Sequence, residues 1–137
     1  MSTAASSYLL IFRETALERY DALSHEQRLH AMRRWNGWID ALVAQGTMQG
    51  GNTLDPSARI VSSKRGTRTV DGPFAEAKEL IAGYFLLTAR SLDEATAIAE
   101  QCPFLEYGMT VEVRAVAQAC HLARSLGWET MQEPASA

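Results

Sequence analysis

The chain has 137 residues, of which 47% are hydrophobic and 21% charged, the length and mix of one globular domain. Its formal net charge of −3 provides no general basic face for nucleic-acid phosphates. Cys102 and Cys120 have neither C-x-x-C spacing nor a histidine cluster beside them, which argues against a disulfide framework or a zinc site; no apolar run approaches the ~20 residues that span a bilayer. The small polar start, Met1–Ser7, lacks a signal-peptide pattern. A cytoplasmic address is the expectation, with no nucleic-acid or membrane partner, no metal and no cofactor.

Tyr8–Phe12 is a continuous apolar run and reads as a strand buried on both faces. Ser24 with Gln27 three residues later is a capping-box pattern. Leu29, Met32, Trp35, Ile39, Leu42 and Val43 then recur at helical spacing, with Gly46 placed to end the helix. Thr47–Leu54 reads as a short strand breaking into a turn. Arg59–Ser63 and Thr67–Val70 flank Lys64-Arg65-Gly66 and suit a hairpin. Asp71-Gly72-Pro73-Phe74 is a turn by composition, with Ala75–Leu80 as a charged helical turn. Tyr84–Thr88 is a second doubly apolar strand. Ser91 and Glu94 open a second helix through Leu92, Ala95, Ile98, Ala99 and Cys102, which Pro103 stops. Thr110–Val116 alternates, with Val111 and Val113 on one face and Glu112 and Arg114 on the other.

This order predicts an α+β fold: a ferredoxin-like βαβ-βαβ antiparallel sheet with both helices on one face, over residues 7–116. Residues 117–137 form an extension, partly helical around Leu122, Leu126 and Trp128 and then disordered. Two helices cover one face only, so the apolar residues of the other predict a homodimer through that face.

Asp71-Gly72-Pro73-Phe74, Ala75-Glu76, Lys78-Glu79, Gly83-Tyr84 and Val111-Glu112-Val113-Arg114 together resemble the DGPF-domain proteins, relatives of the YCII family. The resemblance spans roughly Tyr8 to Val116. It implies a dimeric α/β-barrel and a regulatory or stress-linked setting. The family's pocket histidine and aspartate have no matching motif here; His25 and His30 lie near the start of the first helix, and His121 lies in the extension.

The candidate catalytic carboxylates are Asp71 and Glu79. Asp71 can equally serve its turn by accepting backbone N–H groups. Glu76 and Lys78 are candidate ligand contacts, with Lys78 set to neutralise an acidic group; the same charges suit a solvated face. Glu112 and Arg114 would face the space between paired sheets, where buried charge must find a partner or a ligand. Tyr84 could add a hydroxyl to that site. Two functions fit these residues. One is binding of a small polar molecule in a barrel pocket, in a regulatory role. The other is cofactor-free acid/base catalysis of isomerase or lyase type. The sequence alone leaves open whether the protein is an enzyme.

Overall fold

A computed structural model of the chain describes residues 4–15, 17–72 and 79–136. The strands are β1 (Ser6–Glu14), β2 (Met48–Thr53), β3 (Ala58–Ser62), β4 (Arg68–Gly72), β5 (Leu80–Ala89) and β6 (Thr110–Ala115). The helices are α1 (Glu18–Asp21), α2 (His25–Ala44), α3 (Leu92–Ala99) and α4 (His121–Ser125). The main sheet has the order β2-β5-β1-β6, with every neighbouring pair antiparallel. Each crossover, β1 to β2 through α2 and β5 to β6 through α3, skips one central strand. That is the ferredoxin-like arrangement, and the fold is α+β with an antiparallel sheet.

Strict alternation along β1 sorts its side chains. Tyr8, Leu10, Phe12 and Glu14 are buried, while Leu9, Ile11 and Arg13 are half-buried on the opposite face. The buried set meets Phe85, Leu87 and Ala89 of β5 and Val111 and Val113 of β6. α2 lies over them, burying Ala31, Trp38 and Leu42, with Trp35 and Ile39 packed at the edge.

α2 starts where the sequence places it. The Ser24 hydroxyl accepts the Gln27 N–H at 3.1 Å, and the Gln27 side chain accepts the Ser24 N–H at 2.8 Å. Such a cap is worth about 1 kcal/mol. Gly46, at φ 74°, takes the left-handed conformation just past the helix end. At α3 one half of the expected box is present, Ser91 Oγ accepting the Glu94 N–H.

The stretch after β1, assigned to no element from the sequence, holds the short helix α1. Two expectations need correction. Asp71-Gly72 is the end of strand β4, paired with Arg59 and Ala58 across a two-stranded hairpin, instead of a turn. Gly72 has no positive φ, and a Cβ there would crowd only the movable end of the Ile60 side chain, at 2.8 Å. Leu80, expected in a helical turn, opens β5. Pro73, Phe74, Glu76 and Lys78, with the rest of 73–78, lie outside the described residues. No helix among the described residues is long and apolar enough to cross a membrane.

The face of the sheet carrying Leu9, Ile11, Tyr84 and Leu86 has neither α2 nor α3 on it. Among the described residues α4 has no extensive packing against any strand. Its Leu122 and Leu126 are exposed.

Candidate functional site

Beneath α2, at the end of the sheet where β1 finishes, an open cleft of about 690 Å³ separates helix from strands. This is within the usual range for small-molecule sites, roughly 300–1,000 Å³. Its walls are largely apolar and include a cluster of rings: Phe12 and Phe85 from the sheet, Trp35 from α2 and Phe104 from the 3-10 turn Pro103–Tyr107. These rings hold one another. Phe12 sits edge-on to Trp35 at 5.2 Å and to Phe85 at 4.7 Å, and Trp35 stacks on Phe104 at 4.8 Å.

Backbone features open this end of the sheet. Phe12 pairs with Gly83 but Arg13 pairs with Ile81, so Ala82 is a bulge residue. Gly51 and Gly83 line the cleft and let β2 approach β5 closely. A Cβ on Gly51 would lie 2.5 Å from the Tyr84 carbonyl oxygen, and one on Gly83 would lie 2.7 Å from that of Asn52.

The polar groups are few. Glu14 continues the inward register of Tyr8, Leu10 and Phe12, which places its carboxyl among core side chains at 6% exposure. The Tyr20 hydroxyl, carried by α1, donates to Glu14 Oε1 at 2.6 Å. The Tyr20 ring is set by Phe104 and Tyr107 at 5.8 and 5.9 Å. Burial pushes the Glu14 carboxyl above its ordinary value, and the Tyr20 hydrogen bond only partly offsets this. Tyr20 is raised by its own burial and then by the hydrogen bond to Glu14. Cys102, close behind, is pushed up to about 11 chiefly by burial, so it stays a thiol. Arg28 stands at the rim.

The Glu14 shift has a consequence for stability. Between the ordinary carboxylate value of 4.5 and the raised folded-state value, the folded chain holds a proton that the unfolded chain has lost. The stabilisation from this group is therefore complete below 4.5 and disappears as pH rises through the raised value. Glu14→Gln keeps a hydrogen-bond acceptor but has no proton to lose. Its melting temperature should gain on the wild type as pH rises from about 4 to 8. Parallel melting profiles across that range would show that Glu14 titrates normally.

A family model for the YCII-related domain matches residues 10–119. The chain belongs to the YCII-related family. No curated protein matches it. Among solved structures it is similar to 5-chloro-2-hydroxyhydroquinone dehydrochlorinase from Burkholderia phenoliruptrix AC1100, solved in complex with 2,5-dihydroxybenzoquinone. The identity is 14%, the alignment covers 82% of this chain and 95% of the other, and the TM-score is 0.48.

In this YCII-related chain the residues singled out from sequence fall in separate places. Asp71 is on the hairpin, its side chain 95% exposed and 3.8 Å from Arg59. Glu79 is exposed at the foot of β5. Glu112 and Arg114 meet on the open sheet face, where Arg13 donates to Glu112 at 2.9 Å and Arg114 lies 3.5 Å from it. The Tyr84 hydroxyl accepts from Asn52 on that same face, at 3.3 Å. None of these five lines the cleft. Among the described residues no group of three or more His, Cys, Asp or Glu could hold a metal ion.

Glu14, Tyr20 and Arg28 were missed by the sequence reading. For Glu14 a signal existed: extending the alternation Tyr8, Leu10, Phe12 by one step puts a carboxylate at a core position. Tyr20 had none, because a helix of four residues leaves no periodicity to read.

Proposed function

We propose that this protein binds a small, flat, mainly apolar molecule in the cleft, with one polar group of the ligand held by the Glu14–Tyr20 pair. The observation that carries this is a buried carboxyl at the end of an opening with aromatic walls, hydrogen-bonded among the described residues by one hydroxyl. A carboxyl has further acceptor and donor capacity beyond that one bond. Leaving it unused in a buried place costs stability without any return to the fold.

The cleft can be blocked without disturbing the core. Met32 lines it yet is 48% exposed, so Met32→Trp should fold normally and fill the opening. Ligand-observed NMR with 4-hydroxybenzamide as probe should show saturation transfer for the wild type and none for Met32→Trp. Equal transfer with both proteins would place binding elsewhere.

A second reading rests on the same pair. A carboxyl whose pKa is raised by burial, beside a ligand, is the equipment for cofactor-free proton transfer, with Glu14 taking and returning the proton. Deuterium exchange into a bound ligand in D2O, lost in Glu14→Gln, would select this over simple binding. Exchange unaffected by that substitution would reject it.

The same reading includes a homodimer of the α/β-barrel type, closed through the open sheet face. Leu9, Ile11 and Leu86 lie side by side there, flanked by the Arg13–Glu112–Arg114 ion pairs. Ile11→Glu should convert a dimer to a monomer by sedimentation equilibrium. A wild-type monomer would contradict it.

A further inference from the structure

The stripe that α2 turns toward the cleft reads Arg28, Ala31 and Met32, Trp35 and Ile39, successive turns of one helical face. Arg28 is the only basic side chain among the described residues of the lining. Its guanidinium is already fixed. Nε donates to the Leu23 carbonyl at 3.0 Å and Nη2 to the Asp21 carbonyl at 2.8 Å. The acceptors belong to the last residue of α1 and to the segment that joins it to α2. A guanidinium has five N–H donors, and these two bonds use one side of the fork. The end formed by Nη1 and the second Nη2 hydrogen is left without a partner among the described residues. Among the described residues Arg28 meets no carboxylate, as is true of several other arginines; what sets it apart is its place in the cleft lining.

A braced planar fork with a free end suits a carboxylate, which it can bind through two parallel hydrogen bonds. Arg28 stands seven residues before Trp35, roughly 10 Å along the helix axis. A ligand ring lying against the aromatic wall would thus carry its anionic group toward the rim and its other end toward Glu14. Burial shifts Glu14 toward its neutral form, which lessens its repulsion of such a ligand. The exposed Glu18, Asp21 and Glu26 nearby are screened by solvent.

We infer that Arg28 is an anion clamp and that the ligand of this cleft is a flat organic carboxylate. This rests on the cleft being the ligand site, and the test separates the two. Isothermal titration compares 4-hydroxybenzoate with 4-hydroxybenzamide, which share a ring and a hydroxyl and differ in charge. The wild type should bind the carboxylate at least about fivefold more tightly at low salt. Arg28→Gln should bring that ratio close to one and leave the amide unchanged. Arg28→Lys should restore part of it. Equal affinities in the wild type, or a ratio that survives Arg28→Gln, would overturn the clamp and leave the cleft standing. Binding of neither compound would overturn both. Should Arg28→Gln weaken the amide as much as the carboxylate, the residue braces the α1–α2 segment and is no clamp.

Discussion

Replacing Phe12 by alanine is expected to cost about 3–5 kcal/mol of folding stability. The whole stability of such a domain is about 5–15 kcal/mol, so this one change removes a large share. The size follows from position. Phe12 is 2% exposed on the central strand and lies edge-on to Trp35, Trp38 and Phe85. Its neighbours are pinned by α2 on one side and by strand pairing on the other, so they have little freedom to close the gap. Thermal and urea unfolding should agree, with a melting temperature lower by roughly 10 °C or more. A loss under about 1 kcal/mol would mean that the ring cluster relaxes into the space, against a close-packed core.

The second large effect is expected at Gly51. An added Cβ would meet the Tyr84 carbonyl oxygen at 2.5 Å, Phe85 Cδ1 at 2.7 Å and Phe85 Cα at 3.1 Å. Two of these atoms are backbone and cannot step aside. Gly51→Ala must therefore push β2 away from β5, at a cost of about 1–3 kcal/mol. The damage should be local as well as global. Amide exchange along Met48–Thr53 should accelerate more than along β1, because β2 is an edge strand paired on one side, with β5, whereas β1 is paired on both. The neighbouring Gly50 has open space at its Cβ position, so Gly50→Ala should be nearly neutral. Similar costs at the two positions would contradict the close-approach account.

The contrast between these glycines shows where sequence reading stops. Gly50-Gly51 marks an irregular strand, but which of the two is crowded depends on the register with β5 and on the shift between Met48 and Gly50. The larger plan was legible because it rests on local chemistry. Capping residues, the Trp35–Leu42 stripe and the alternation at Val111 and Val113 act within a few residues, and each defines its element without knowledge of the rest. The open-face positions of Glu112 and Arg114 followed from the same alternation.

The cleft was not legible in this way. It is assembled from the last residue of β1, a single turn of helix, the face of α2, a bulge at Ala82 and a 3-10 turn distant in sequence. No spacing along the chain brings Glu14, Arg28 and Phe104 together; only the sheet order does. The charged run that drew attention in the sequence, Asp71 to Glu79, begins on a hairpin that stands apart from the main sheet. Glu79 ends it at an exposed position. Burial, which distinguishes Glu14 from these carboxylates, is a property of the fold and cannot be counted from composition.

The central claim is that the space beneath α2 is where this protein meets its ligand. The most direct measurement is a chemical-shift map of the isotopically labelled protein during titration with 4-hydroxybenzamide. The account expects the Trp35 indole N–H and the methyl groups of Met32 and Met109 to move together and saturate, while the methyls of Leu9, Ile11 and Leu86 stay still. Shifts confined to that open sheet face, or to the β3–β4 hairpin, would contradict it.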